Sequence, residues 1–527
     1  MYFAINNLID NLKEKTIRYH LLFLAAAVCY FISNILWGLE FTDGFFHINE
    51  AVQNEGYYPF ETILSSQILF LLNKIFGIHL VLYRLFNSLL ILFSYYLIYN
   101  TGKKYYNKAL VRLFTAVFII LASPMNFNIL GFDSFSVITI TAAVSFLLNN
   151  EMKNFKNILL LSILIACSML VRMPNLFILP FTGVYFIYCR KLLNWKIIDI
   201  FKRYILLITL TLFLYISYLL IIYHSFSNIF HSFASQGGHH ISKIIYHYYN
   251  DSFLVFQYLI VFILLYLFFI LLKKIKAISL FALSILIFFY LYKRIYIVYH
   301  YHYAIIILSF ITSLLIIYFF NYKKINYKII FIFLTSLIIC AGSNTGFVKM
   351  AFLSPIGMLC CMETTKFVSK QFIYCIIGIL IPFSFLILSS ETFEDKGYFK
   401  LSNKINVHGL NPIYTSFDHY KTVHEILDIT DYLEKTGYKV VYYGFHSHLF
   451  SFLRPAPREK YTFYQPFDNS DEMNYILKKY NNQRLAIFLI NGNNLKDSLK
   501  NKSEVELFLI KKGYEEMYET KFIIYTN

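Results

Sequence analysis

The chain has 527 residues, 58% of them hydrophobic and 15% charged, with a mean hydropathy of +0.56. That leaves too little polar surface to cover a soluble particle of this size, so most of the chain belongs in a bilayer. A formal charge of +17 would suggest nucleic acid on a soluble protein; on a membrane protein it marks loops retained in the cytoplasm, and no nucleic-acid partner is expected.

A bilayer crossing takes roughly 20 apolar residues. Runs at 20–38, 80–99, 110–123, 133–148, 157–171, 175–189, 203–223, 253–272, 277–292, 303–320, 329–341, 350–362 and 371–390 meet or approach that length. The reading is a polytopic α-helical membrane protein with about thirteen spans. The runs at 329–341 and 350–362 are short and could instead form a re-entrant hairpin. The first run is not a cleavable signal, because an amphipathic stretch from Tyr2 to Lys15 precedes it and no small-residue cleavage site follows.

If the amino terminus is cytoplasmic, the inner loops hold Lys103, Lys104 and Lys108, Arg190 and Lys191, Lys273 and Lys274, Lys323 and Lys324, and more. The opposite loops hold only Lys74, Arg172, Lys243, Lys293, Arg294 and Lys349. This asymmetry predicts that the amino terminus lies inside; the expected setting is an integral protein of a bacterial inner or plasma membrane.

After Leu388 the composition turns polar, dividing the chain into a membrane domain at 1–390 and an extracytoplasmic domain at 391–527. Val440–Tyr443, Leu485–Ile490 and Phe522–Tyr525 read as strands, and 420–435, 471–480 and 503–511 as helices, which makes a small α/β layer domain. All seven cysteines fall in spans or at their ends, so the outer domain has no disulfide framework.

The chemistry-bearing residues collect on the outer face. Asp43 follows the interface residue Trp37 by a few positions, with Glu50 and Glu55 in the same loop; it is either a solvated acid or a base. Asp133 opens the fourth run, where an acid faces a polar cavity, finds a partner or caps its helix. Arg84 and Arg172 are intramembrane cations that need an anion, which Asp43, Asp133 or a ligand phosphate can supply; for Arg84 a structural salt bridge is the simpler reading. Lys293 and Arg294, with His300 and His302, make either a phosphate site or an interfacial anchor. His47, His239 and His240 add to a dense histidine population, and Asp43 with His47 has i, i+4 spacing, but no HExxH or comparable metal-ligand set occurs. No metal ligands are assigned, and a divalent ion stays open.

These residues resemble the GT-C glycosyltransferases, in the branch that includes protein O-mannosyltransferases and the aminoarabinose transferase of lipid A. The resemblance runs through Thr42-Asp43-Gly44-Phe45-Phe46-His47, an apolar juxtamembrane helix near Glu61 to Phe76, and Tyr83-Arg84-Leu85-Phe86-Asn87. It continues through Gly131-Phe132-Asp133, Val171-Arg172-Met173-Pro174-Asn175 and the terminal α/β domain. It implies inverting transfer of a sugar from a polyprenyl-phosphate donor to a glycan, lipid or protein acceptor of the cell envelope. Asp43 would be the general base and Asp133 would orient a cation or a sugar hydroxyl. Arg84, Arg172, Lys293 and Arg294 would bind the donor phosphate, and His47, Glu50, His239, His240, His300 and His302 could reach substrate. One departure is Gly44, where many relatives carry a second acid. The alternatives are a polysaccharide polymerase or ligase, which usually carries its large outer loop between spans, and a lipid-linked sugar flippase or transporter, which more often shows internal repeats.

Overall fold

Alternation of apolar runs with basic loops folds into an antiparallel helical bundle closed at one end by the carboxyl-terminal sheets. The computed structural model describes residues 2–39, 43–53, 62–77, 79–125, 130–193, 195–235, 241–271, 300–322, 326–341, 347, 349, 354–365, 368, 370–392, 395–443, 448–454, 470–480, 483–489, 504–519 and 523–527. The bundle begins with α1 (Tyr2–Ser33), the short helices α2 (Asp43–Gln53) and α3 (Ile63–Phe76), and α4 (Leu80–Tyr105). It continues with α5 (Lys108–Ala122), α6 (Phe132–Asn149), α7 (Phe155–Val171), α8 (Ile178–Leu193), α9 (Ile197–Tyr223), α10 (Phe226–Ser235) and α11 (Ile241–Leu271). It closes with α12 (His300–Tyr322), α13 (Tyr327–Ser336), α14 (Ser354–Thr364) and α15 (Lys370–Ser390).

Six stretches of the described residues are long and apolar enough to cross a bilayer, set against the roughly thirteen spans expected. They are Arg18–Leu36, Leu80–Tyr105, Phe132–Asn149, Ile197–Tyr223, Ile245–Leu267 and Tyr303–Asn321. The expected run at 277–292 lies outside the described residues. Shorter apolar helices such as Phe155–Val171 and Ile376–Ser389 complete the bundle. Burial sorts the spans: Tyr303–Asn321 is 78% buried and runs through the core, whereas Ile197–Tyr223 at 17% and Ile245–Leu267 at 11% present most of their surface outward, as lipid-facing helices do.

The two weak runs fold as a hairpin. α13, the 3-10 turn Ile338–Cys340 and α14 have ten, three and eleven residues. At about 1.5 Å per helical residue, each arm falls short of the roughly 30 Å hydrocarbon layer. Lys328 at the start of α13 lies 3.7 Å from Glu363 at the end of α14, so the arms open at the same end of the bundle. That is also the end of Lys103, Lys104 and Lys153, where Tyr105 donates to the Leu148 carbonyl and Arg203 to that of Met152. The hairpin turn, carrying Phe347 and Lys349, lies at the other end.

At that other end the chain builds two small ladders, β1 (Glu391–Thr392) with β2 (Asp395–Lys396) and β3 (Asn403–Ile405) with β4 (Ile413–Thr415). A four-stranded sheet follows, in the order β5 (Lys439–Tyr443), β6 (Leu485–Leu489), β8 (Ile523–Thr526), β7 (Glu515–Glu519). β5 and β6 are parallel; β8 runs antiparallel to both β6 and β7. α16 (Phe417–Lys435) and α17 (His448–Leu453) lie with one face, while α18 (Ser470–Lys479) and α19 (Glu504–Lys511) cover the other. The period-2 alternation is clean: Val440 and Tyr442 point to the bundle side, Val441 and Tyr443 away from it. The sheet region is not packed as a free-standing unit. Ile405, Ile413, Val423 and Phe450 share one apolar core with Leu39, Phe45, Ile48 and Tyr83.

Backbone joins tie the two parts. Trp37 bridges Tyr414, and Gly38 donates to the Tyr414 carbonyl at 2.9 Å with a φ of +80°, a conformation that glycine adopts without strain. The first amide of α4, Leu80, donates to the Gly409 carbonyl at 2.8 Å, so the sheet region satisfies a helix terminus of the bundle.

Candidate functional site

Asp43 is the first residue of α2, a helix of eleven residues rather than the loop the sequence suggested. The side chains of Asp43 and Glu50 lie outside the described residues, as do Lys293, Arg294, His239 and His240 and the side chains of His300 and His302. The seating of α2 is described. Phe45 packs on Phe452 with ring centres 5.0 Å apart, and Asn49 donates to the His448 carbonyl at 2.8 Å. Both partners belong to α17, so the sheet region holds one side of the helix. The other side touches the start of α6, where the His47 ring meets the Phe132 ring edge-on at 4.4 Å. His47 thus lies against Gly131 and Phe132 at the start of α6.

Asp133 sits in the first turn of α6, but it is not the cap that the sequence offered as one reading. The N-cap is Gly131, which has no side chain to bond the backbone. The Asp133 carboxylate instead accepts a hydrogen bond from Lys349 Nζ at 2.7 Å on Oδ2, and Arg172 Nε stands 3.9 Å from Oδ1. The Phe132 ring underlies both cations, with Lys349 Nζ 5.0 Å and Arg172 Cζ 5.8 Å from its centre. The helix dipole adds to the stabilisation of the acid. The Asp133, Lys349 and Arg172 side chains are 17%, 16% and 6% exposed, so this is a sheltered charge cluster and not a solvated surface pair. Burial holds the His47 imidazole down to about 4; the Asp133 carboxylate opposes that shift and the Lys349 charge adds to it. His47 is a neutral ring at physiological pH.

The two arginines differ. Arg172 shares Asp133 while donating to the carbonyls of Ile339 at 2.7 Å and Ala341 at 3.0 Å, which satisfies the carboxyl end of the 3-10 turn in the hairpin. Arg84 is fully buried and donates to the carbonyls of Ile35 and Gly38, at 3.0 and 2.9 Å, at the end of the first span. Both bonds tie α4 to the end of the first span.

A polar seam fixes the elements that carry these charges. Asn175 donates to Ser136 Oγ at 3.0 Å and to Ser168 Oγ at 3.1 Å, Ser134 donates to Asn87, and Ser65 donates to the Val171 carbonyl at 2.9 Å. Pro174, in the 3-10 turn that follows, helps end α7 before Arg172, which turns extended and aims its side chain at the hairpin. Among the described residues no group of three or more His, Cys, Asp or Glu side chains is placed to hold a metal ion.

No protein-family model matches the chain, and no curated protein matches it. Among solved structures, the lipid A aminoarabinose transferase ArnT from Cupriavidus metallidurans, bound to undecaprenyl phosphate, superposes with a TM-score of 0.51 at 10% identity, over 96% of this chain and 98% of its own. The apo form of the same enzyme superposes with a TM-score of 0.46 at 10% identity, over 97% and 98%. The chain has the ArnT fold.

The ArnT likeness takes in the bundle and the sheet region together, in keeping with the core they share. Within this ArnT-like bundle, Lys349 was missed by sequence reasoning as a site residue. The one signal for it was a lone lysine in Gly-Phe-Val-Lys-Met between two short apolar runs, on the side of an acid that needed a cation. Its support is firm: Phe347 donates its amide to Asp251 Oδ2 at 2.7 Å, and Tyr248 donates to the Cys340 carbonyl. Both partners lie on α11, so a peripheral helix braces the hairpin turn that delivers Lys349 to Asp133.

Proposed function

We propose that this chain is an inverting glycosyltransferase that moves a sugar from a polyprenyl-phosphate donor to a cell-envelope acceptor at the outer membrane face. One observation carries the reading: the sheltered cluster of Asp133, Lys349 and Arg172 stands beside the helix that begins at Asp43. The ArnT fold supports it, since the superposed ArnT structure holds undecaprenyl phosphate.

In the reaction, the Asp43 carboxylate takes the proton of an acceptor hydroxyl as that oxygen attacks the anomeric carbon. The bond from that carbon to the phosphate oxygen breaks, and polyprenyl phosphate leaves with the electron pair. Cleavage of that bond builds negative charge on the leaving phosphate. Lys349 and Arg172 are preorganised cations for it, held over the Phe132 ring in a water-poor site. Asp133 keeps both cations in place and shares Lys349 with the phosphate. His47, neutral beside them, offers one donor and one acceptor to a sugar hydroxyl. Lys293 and Arg294 are proposed as further donor contacts on the sequence pattern alone. The domain at 391–527 lies outside the cell, and the basic end of the bundle inside.

The reading is tested by thermal unfolding of the detergent-solubilised chain with and without undecaprenyl phosphate. A rise in Tm with the lipid phosphate, absent with undecaprenol and lost in Lys349→Gln, supports it; equal response to both lipids contradicts it.

A further inference from the structure

Phe399 has the most exposed large apolar side chain among the described residues, at 84%, and it lies in none of the membrane-crossing helices. Other highly exposed residues of that kind, Phe320 at 77% and Tyr249 at 73%, lie on α12 and α11. Phe399 belongs to a 3-10 turn, Tyr398–Lys400, nine residues beyond the end of α15. Its level in the molecule is fixed on two sides. The preceding Tyr398 ring packs on Trp37 at 4.5 Å, just past the end of the first span, and Tyr30 of that span packs on Phe385 of α15 at 4.7 Å. Phe385 is itself 46% exposed on the outer surface of α15. A second bare ring, Phe417 at 62%, opens α16 next to Asp418, which pairs with Lys396. Lys400 and Lys404 are exposed on the same short segment.

Exposed aromatic rings beside lysines, at the level where two membrane helices end, have the composition and position of an interfacial anchor. Water is a poor neighbour for them and lipid headgroups are a good one. We infer that Phe399, with Phe417, seats this edge of the sheet region in the headgroup layer of the bilayer, so that the domain rests on the membrane and does not stand clear of it. The occupant is a lipid surface: the segment follows the apolar helix α15 and packs through Tyr398 on Trp37 at the end of the first span, and its exposed lysines complement anionic headgroups. The inference is independent of the reaction proposed above.

The test places the photoreactive residue p-benzoylphenylalanine at position 399 or, as control, at position 507 of the full-length chain. Leu507 is 57% exposed on α19, the layer on the far side of the sheet from the bundle. The protein is reconstituted into vesicles of phosphatidylcholine and phosphatidylglycerol, irradiated and analysed by mass spectrometry. Lipid adducts at 399 and none at 507 are expected. Lipid adducts no more frequent at 399 than at 507, or adducts at 399 only to a second protein chain, overturn the inference. A second reading uses Phe399→Trp, with wild-type emission subtracted. Quenching by brominated phosphatidylcholine and protection from iodide are expected, and the reverse pattern overturns the anchor.

Discussion

Leu39 donates its backbone amide to the buried carboxylate of Asp395, 3.0 Å away and 356 residues later in the chain. The same carboxylate accepts from the Thr415 hydroxyl, and His419 Nδ1 lies 3.5 Å from it and 3.0 Å from the Leu39 carbonyl. Burial alone would raise the Asp395 pKa; the contacts with His419, Ser416 and Thr415 outweigh it and hold the acid below the usual carboxylate range. This clasp fixes the backbone four residues before Asp43, and α17 grips the helix that starts there. The sheet region thus takes part in aligning the proposed base.

Loss of the clasp has an optical reporter, because the chain has two tryptophans and Trp37 stacks on Tyr398 and Tyr414 beside the clasp. In a Trp195→Phe background, Asp395→Asn shifts Trp37 emission to the red at pH 7. The lost charge-assisted bonds are worth about 1.5–3 kcal/mol each. With Asp395 intact the sign is that of a depressed acid: the stabilisation is present above the ordinary value of 3.8 and is lost only as pH falls through the lower folded value. Emission therefore stays constant as pH falls to the ordinary carboxylate value and shifts only below it. A transition above the ordinary carboxylate range would mean that Asp395 does not carry the clasp.

His47 carries a second acid-sensitive term of different range. Its folded pKa of about 4 lies below the ordinary 6.5, so the unfolded chain binds the proton first and stability falls as pH drops from 6.5 toward 4. His47→Gln removes this term. Thermal unfolding of the two proteins between pH 7.5 and 4.5 should converge on acidification, with the variant losing less; parallel curves would mean that His47 is solvated.

Lys349 and Asp133 are coupled at 2.7 Å, and a double-mutant cycle separates structure from function. Lys349→Gln leaves a sheltered carboxylate without its main partner and lowers both Tm and donor use, the latter by about 10- to 100-fold from one charge-assisted bond. Adding Asp133→Asn restores much of the Tm and none of the donor use. Recovery of both would make the pair structural only. Chelators leave wild-type transfer intact; a loss restored by one specific metal would recast Asp43, His47 and Asp133 as ligands.

Orientation is checked by thiol labelling in a cysteine-free background. A cysteine at Ser470, on the layer of the sheet farthest from the bundle, reacts with an impermeant reagent in intact spheroplasts. One at Asn107, which caps α5 at the basic end, does not. Labelling at 107 alone inverts the topology.

Hydropathy and periodicity made much of the fold legible in the sequence. The spans around α4, α6, α9 and α12, the apolar helix Ile63–Phe76 and the strands around Val441, Ile487 and Ile524 all stand where their patterns put them. β7 was missed because Glu515, Glu516 and Glu519 give an edge strand a polar composition that resembles a loop. The ladders β1 to β4 are two or three residues long, too short for any periodicity. Lys349 was illegible as a partner because 216 residues separate it from Asp133, and only the hairpin closes that distance. Arg84 was ambiguous for the converse reason: backbone carbonyls, which have no sequence signature, take its guanidinium.

The most direct measurement compares cells carrying the wild-type chain, the Asp43→Asn variant and no chain, with mass spectrometry of extracted polyprenyl-phosphate sugars and of surface glycans. If Asp43 is the base of an outer-face transfer, one polyprenyl-phosphate sugar accumulates and one residue disappears from the envelope in both the variant and the deletion, with transfer down by about a hundredfold or more. Normal glycans and normal donor levels with a well-expressed Asp43→Asn protein would contradict it.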